Sequence, residues 1–324
     1  MDSPGQKERK RNIMRINNNI MALNSHRVYG INANNLGRDV ERLSSGFRVN
    51  RAADDAAGLA ISEKMRAQIR GLNMASRNSL DGISLVQTAE GGMQTIQDIL
   101  QRMRELAIQA GNDTNQFEDR AALQLEVNQL IEEIDQIADT TEFNEMTLLS
   151  GRFGADGGVG PSAGPLILQV GANMQQAMYF HINSMNASGL ALLGVGPALP
   201  DGTARHSLVL DDPLTHRDRD FTAQPAGIMT HQLASAAITI ISDALLSVSM
   251  ARAALGAIQN RLEFKIQNLD NQAENLQAAE SRIRDADMAR VMTNFTRNNI
   301  LFQSSTAMLA QANALPQSVL QLLG

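Results

Sequence analysis

The sequence predicts a mainly α-helical protein, an elongated antiparallel coiled-coil rod. Its N- and C-terminal regions pair, and a β-hairpin with a small irregular insert is looped out between them. Three observations lead to this reading. Apolar residues recur at helical spacing over long stretches at both ends of the 324-residue chain. Aromatic residues make up only 3% of it, and Cys and Trp are absent. Burial therefore has to come from Leu, Ile, Val, Met and Ala interlocking along helix seams rather than from a thick aromatic core. Between about residues 151 and 230 the periodicity stops and glycine and proline punctuate the chain.

Residues Met1 to Ile13 (MDSPGQKERKRNI) are polar and basic, with no apolar segment behind them, so they do not read as a cleavable secretory signal. They are read as a disordered extension before a start at Met14, where the texture changes to MRINNNIMALNSHR. From Asp54 to about Gly111 the apolar positions are Ala60, Ile61, Met65, Ile69 and Leu72, then Ile83, Val86, Met93, Ile96, Leu100, Met103, Leu106 and Ala110. They predict one long helix or two end to end, on the order of 85 Å in length, curved near Gly91. Asp54 and Asp55 place negative charge at its start, where the helix dipole favours it. Gly71, Gly82, Gly91 and Gly92 lie inside, each costing ~1 kcal/mol relative to Ala.

Gly111-Asn112-Asp113 stops this helix, and Leu123, Val127, Leu130, Ile134 and Ile137 mark a second, antiparallel one. Leu166 to Val170 and Met178 to Ile182 read as two short strands of a hairpin, with Gly171-Ala172-Asn173 opening the connection. The stretch from Pro197 to Pro225 reads as surface loop. From about His231 a 4,3 register returns through Ile241, Leu245, Val248, Leu255, Leu262, Ile266, Leu269, Ala273 and Leu276, interrupted by Arg252 and Gln259. Met288 to Leu323 is amphipathic again, with Pro316 interrupting it. An apolar seam this narrow cannot bury itself and requires another helix. A bundle closed within one chain and a bundle that associates with other copies both satisfy that requirement.

The chemistry-bearing residues exclude several classes of function. A net charge of −6 offers no broad basic surface for nucleic acid. No unbroken apolar run approaches the ~20 residues needed to cross a membrane. The five histidines, His26, His181, His206, His216 and His231, form no H-E-x-x-H pattern, and without Cys there is no thiol nucleophile or thiolate metal site. Asp54-Asp55 resembles a carboxylate pair, but a helix-start charge explains it more simply. No catalytic, cofactor or metal site is predicted, and the chain is not expected to be an enzyme.

The run LSSGFRVNRAADDAAGLAI from Leu43 to Ile61 is similar to the N-terminal signature of the bacterial flagellins. So are Met14 to Ile20 and Leu100 to Gln109 in the same half. Ala278 to Ala289 and the closing run from Ser304 to Gly324 resemble the family's C-terminal signature. The resemblance covers about residues 14–150 and 235–324. It implies an inner coiled-coil domain of residues 14–56 and 284–324, an outer helical rod of 57–150 and 235–283, and a hairpin and variable region over 151–234. It also implies a motility filament built as a homopolymer from subunits exported unfolded through the flagellar secretion channel. The filament would be extracellular, a periplasmic filament being the other arrangement compatible with the sequence. Implied partners are an export chaperone at the C-terminal region, the filament cap, hook–filament junction proteins and a host Toll-like receptor. Residues Ile16, Ile20, Leu23, Leu309, Val319, Leu320 and Leu322 match inner-domain assembly positions. Arg102, Leu106 and Glu126 match positions that contact the receptor and pack subunits together. A hook–filament junction protein would have similar helical ends. The complete Leu43–Ile61 signature and the C-terminal LAQANALPQSVLQLLG favour the filament subunit.

Overall fold

The computed structural model describes residues 19–154, 164–193, 207–209 and 227–323, and for 315–323 the backbone alone. Among the described residues are five α-helices: α1 (Ile20–Ser45), α2 (Ala56–Ala110), α3 (Phe117–Thr140), α4 (His231–Arg284) and α5 (Met288–Leu323). Two antiparallel two-stranded sheets accompany them, β1 (Glu142–Phe143) with β2 (Met146–Thr147), and β3 (Leu166–Gln169) with β4 (Ala177–Phe180). The chain divides into two compact units. One contains residues up to Ala67 and from Asn275 onward, the other Gln68–Glu274. The divisions fall inside α2 and α4, whereas the expected inner and outer boundary falls near the ends of those helices.

In the first unit α1 packs antiparallel to α5. Tyr29 stacks on Phe302 with ring centroids 5.1 Å apart, and buried Asp39 accepts a 2.6 Å hydrogen bond from Asn298 Nδ2. Asn19 caps α1, its Oδ1 accepting from Ala22 N–H at 3.0 Å. At the other end Gly46 adopts φ 75° and returns its N–H to the Arg42 carbonyl, a left-handed stop open to glycine without strain. The following loop is tied to the end of α4. Phe47 bridges Asp285, Ala286 N–H donates to the Gly46 carbonyl at 2.9 Å, and Arg284 lies 4.7 Å over the Phe47 ring. The backbone of α5 remains helical through Pro316, which therefore does not end the helix as the sequence suggested. Proline lacks the N–H that would bond the Ala312 carbonyl four residues earlier. Asn19 Nδ2 donates to that carbonyl instead, at 2.7 Å.

Asp54 and Asp55 divide their work at the start of α2. Asp55 is the cap, its Oδ1 accepting from Gly58 N–H at 2.8 Å. Asp54 accepts from the N–H groups of Arg51 and Asn50, closing the preceding turn. The Arg51 bond is the main cause that holds its carboxyl below the ordinary value of 3.8. Desolvation, the next largest influence, opposes it, and the Asn50 bond and the charges of Arg42 and Arg38 add to the lowering. Ile61, expected on the apolar seam, is exposed.

The second unit has one continuous core from α2, α3, α4 and the segments between them. Val86, Met93, Ile96, Leu100, Met103, Leu106 and Ala110 supply the α2 seam, and Ile241, Val248, Leu255 and Leu262 the α4 seam. On α3 the buried line is Ala121, Gln124, Val127, Ile131, Ile134 and Ala138, so the expected Leu123, Leu130 and Ile137 flank it, partly buried. Arg252, which breaks the heptads, reaches α2 and donates to Gln97 Oε1 at 2.6 Å and Glu90 Oε1 at 3.4 Å.

The β3–β4 hairpin has Leu166 opposite Phe180 and Gln169 opposite Ala177; β3 starts where predicted and ends one residue early, and β4 starts one residue and ends two residues early. It lies against α2, where a Cβ on Gly71 would stand 2.8 Å from the Ala172 Cβ. Close approach of the turn, rather than a bend, explains that glycine. Gly91 has nothing within 4 Å of the same position, and α2 is a single helix through it.

The central stretch is not all surface loop. Leu208 is fully buried, and Gln124 ties it down, donating from Nε2 to the Leu208 carbonyl at 2.6 Å and accepting Ile228 N–H on Oε1 at 2.7 Å. Apart from residues 207–209, the stretch from Pro197 to Pro225 lies outside the described residues. The reading that no segment is apolar enough for a membrane also changes. An 18-residue window of α4 has a mean hydropathy of 1.7, long and apolar enough by composition. The same helix buries Leu233, Ala234, Ala237, Ile241, Ala244 and Val248 in the core, which accounts for a part of that apolarity, a third of the window being buried.

Candidate functional site

The chemistry of this chain lies in what its helix pairs leave uncovered. In the first unit, α1 exposes Ile20 (66%) and Leu23 (67%) together with Met21 and Ile31. Along α5, Met292, Ile300 and Met308 are exposed as well, and Leu309 is half-buried. Both helices thus use one apolar face on each other and present a second to solvent. Single exposed apolar residues are ordinary, but a series on two paired helices marks an association surface. Ile16 lies outside the described residues, and of Val319, Leu320 and Leu322 only the helical backbone is described.

In the second unit, α2 and α3 hold a cluster of charge. Arg102 Nε and NH2 donate to the same Glu126 oxygen at 2.9 and 2.8 Å, and NH1 donates to Glu105 Oε2 at 3.2 Å. These carboxylates raise the Arg102 pKa above its ordinary value, the Glu126 hydrogen bond foremost. All three side chains are at least two-fifths exposed, so solvent screens the pairing. Leu106 does not join them. It is 1% exposed and packs in the core. Residues four apart on a helix differ by about 40° around its axis, enough here to turn Leu106 onto the Met103–Ala110 seam while Arg102 reaches out.

Next to this cluster a cleft of ≈ 440 Å³ runs between α2 and α4, lined by Gln101, Arg104, Ile108, Leu245 and Leu246 among others. Of the histidines, His231 meets the Gly111 carbonyl through Nδ1 at 2.7 Å, while His206 and His216 lie outside the described residues. Among the described residues no three His, Asp or Glu side chains are grouped to hold a metal.

Residues 16–153 match the family described as the bacterial flagellin N-terminal helical region, and 238–323 match the bacterial flagellin C-terminal helical region. The chain belongs to the flagellin family. It is accordingly a structural subunit of the flagellar filament and not an enzyme. It is 50% identical over 310 residues to the flagellin of Halalkalibacterium halodurans, covering 96% of this chain and 100% of that one. A 31.3 kDa flagellar filament core protein of Treponema maltophilum is 45% identical over the same shares. Among solved structures, a protein of Vibrio parahaemolyticus described as flagellar hook-associated superposes with a TM-score of 0.52. It covers 72% of this chain and 100% of that one at 13% identity, a likeness of fold alone.

Proposed function

We propose that this flagellin polymerises by burying, against further copies of itself, the apolar faces that α1 and α5 leave open, with Ile16, Ile20, Leu23, Leu309, Val319, Leu320 and Leu322 in the assembled layer. The observation that carries this is the exposure of Ile20, Leu23, Ile300 and Met308 on helices already paired with each other. The chain is secreted unfolded through the flagellar channel. A terminal unit that leaves Ile20, Leu23, Ile300 and Met308 uncovered has little to lose on unfolding, because helices alone are marginal in water. The same uncovered surface requires protection before assembly, a role for an export chaperone at the C-terminal region. The cap and hook–filament junction proteins meet it at the ends of the filament. Hydrogen exchange tests this. In dilute monomer α1 and α5 should exchange fast while the α2 and α4 seams of unit two exchange slowly, and both termini should become protected on polymerisation. Strong protection of both termini in verified monomer would contradict it.

The Arg102–Glu126 cluster also serves as the surface that a host Toll-like receptor reads, with Leu106 acting from beneath by holding the helix pair. The support is its exposure and its two opposed charges in one fixed geometry. Arg102→Ala should weaken receptor activation by monomer at least 10-fold and slow filament growth, with helical content unchanged. Wild-type activation by the folded variant would remove Arg102 from the receptor surface.

A further inference from the structure

One exposed surface of unit two is used by nothing described so far. Against the outer side of the β3–β4 hairpin, α4 forms a cleft of ≈ 700 Å³ whose lining includes Val170, Met178, Tyr179, Arg261, Phe264 and Lys265. Phe264 is 70% exposed and Tyr179 60%, and Ile167 and Met174 of the same hairpin are exposed too. Tyr179 and Phe264, two large apolar side chains open in one cleft and flanked by two cations, are the composition of a docking surface. The two cations stand out in a chain of net charge −6, and neither has an ion-pair partner among the described residues.

The complement lies in the same unit. Helix α3 carries Glu118, Asp119, Glu126, Glu132, Glu133, Asp135 and Asp139 against a single cation, Arg120. Glu126 is taken up by Arg102 and Asp135 accepts the Ala187 N–H. Glu132, Glu133 and Asp139 are exposed on its outer side, as is Leu125. We infer that the Arg261–Phe264–Lys265 cleft of one copy takes the acidic outer face of α3 of the next.

Geometry gives this contact a consequence for assembly. The hairpin lies beside α2 at Gly71 and Gly82, whereas α3 lies beside it from Gly92 to Asp113. Some 25 residues of α2 separate the middles of these two levels, roughly 40 Å at 1.5 Å per residue. Patch and complement are thus different surfaces displaced along one helix, so the contact is heterologous and joins copies head to tail. Such a contact builds an open polymer when its rotation does not close a ring, which is the filament case. The inference rests on the filament reading above and names a partner surface for it.

The experiment is seeded elongation of filament fragments by purified full-length chain. The double variant Arg261→Glu/Lys265→Glu should elongate at least 10-fold more slowly than wild type, and so should Glu132→Lys/Glu133→Lys. Both should keep the monomer's circular dichroism and melting, because Arg261, Glu132 and Glu133 are exposed and Lys265 is only half-buried. The quadruple variant, with both sets of charges exchanged, should regain at least half of the lost rate. Either double variant elongating at the wild-type rate, or a quadruple variant no faster than the slower double variant, overturns the pairing. Failure of the wild-type chain itself to elongate would instead overturn the filament reading.

Discussion

Gln124 is the side chain on which the return of the central segment depends most. It is buried on α3 and satisfies two backbone groups that have no other partner among the described residues, the Leu208 carbonyl at 2.6 Å and the Ile228 N–H at 2.7 Å. Its Nε2 also donates to Asn128 at 2.8 Å. Gln124→Leu preserves the volume and removes all three bonds. Leu208 and Ile228 are both fully buried, so each orphaned group costs about 1–3 kcal/mol. The sum is a loss of about 2–6 kcal/mol, with the lower end reached if water enters the gap. Guanidinium unfolding of monomeric chain, followed by circular dichroism, should show the midpoint falling with an unchanged slope. Exchange at the Ile228 amide should accelerate in parallel. A loss under about 0.5 kcal/mol would show that the 207–209 and 227–229 segments are held by apolar packing alone.

Arg252→Leu should leave unfolding free energy unchanged or raise it by up to about 2 kcal/mol, because a leucine continues the heptad seam and Glu90 remains solvated; Arg252→Ala should lower it. A large loss in the leucine variant, read from the same unfolding curves, would make the Gln97 contact indispensable. Gly91→Ala should add ~1 kcal/mol by helix propensity, since its Cβ meets nothing within 4 Å. Gly71→Ala should lose about 0.5–2 kcal/mol, because Ala172 has no flexible end to yield; equal melting shifts for the two would refute this. For Asp54 the folded pKa lies below the unfolded one, so its contribution is complete above pH ~4 and is lost as pH falls through the folded value. Exchange at the Arg51 and Asn50 amides should be pH-insensitive in this sense between 5 and 7 and accelerate beyond the intrinsic trend below 4. Asp54→Asn should abolish that acid step, and its persistence would assign the step elsewhere.

What the sequence made legible followed from spacing. The α4 heptads at Ile241, Val248, Leu255 and Leu262 fall in the core because a 3.5-residue period fixes the buried face without knowledge of the partner. The β3–β4 strands were legible from β-prone residues on either side of Gly171-Ala172-Asn173. Spacing could not tell Leu106 from Arg102, since four residues share a flank and only the seat of the neighbouring helix separates core from rim. Nor could it find the Gln124–Ile228 bond, whose partners are 104 residues apart. The β1–β2 hairpin was missed because two-residue strands have too few side chains to show alternation. Pro316 read as a break because its remedy, the Asn19 amide, stands at the opposite end of the chain.

The central claim, that the two terminal helices assemble this chain into a filament, is tested most directly by truncation. Deleting Ser304 to Gly324 removes the last turns of α5, each apolar side chain there contributing about 1.5–3 kcal/mol when buried. Seeded elongation viewed by electron microscopy should give long filaments from the full chain and none from the truncated one, while the melting of unit two stays unchanged. Filaments of normal length from the truncated chain would contradict the account.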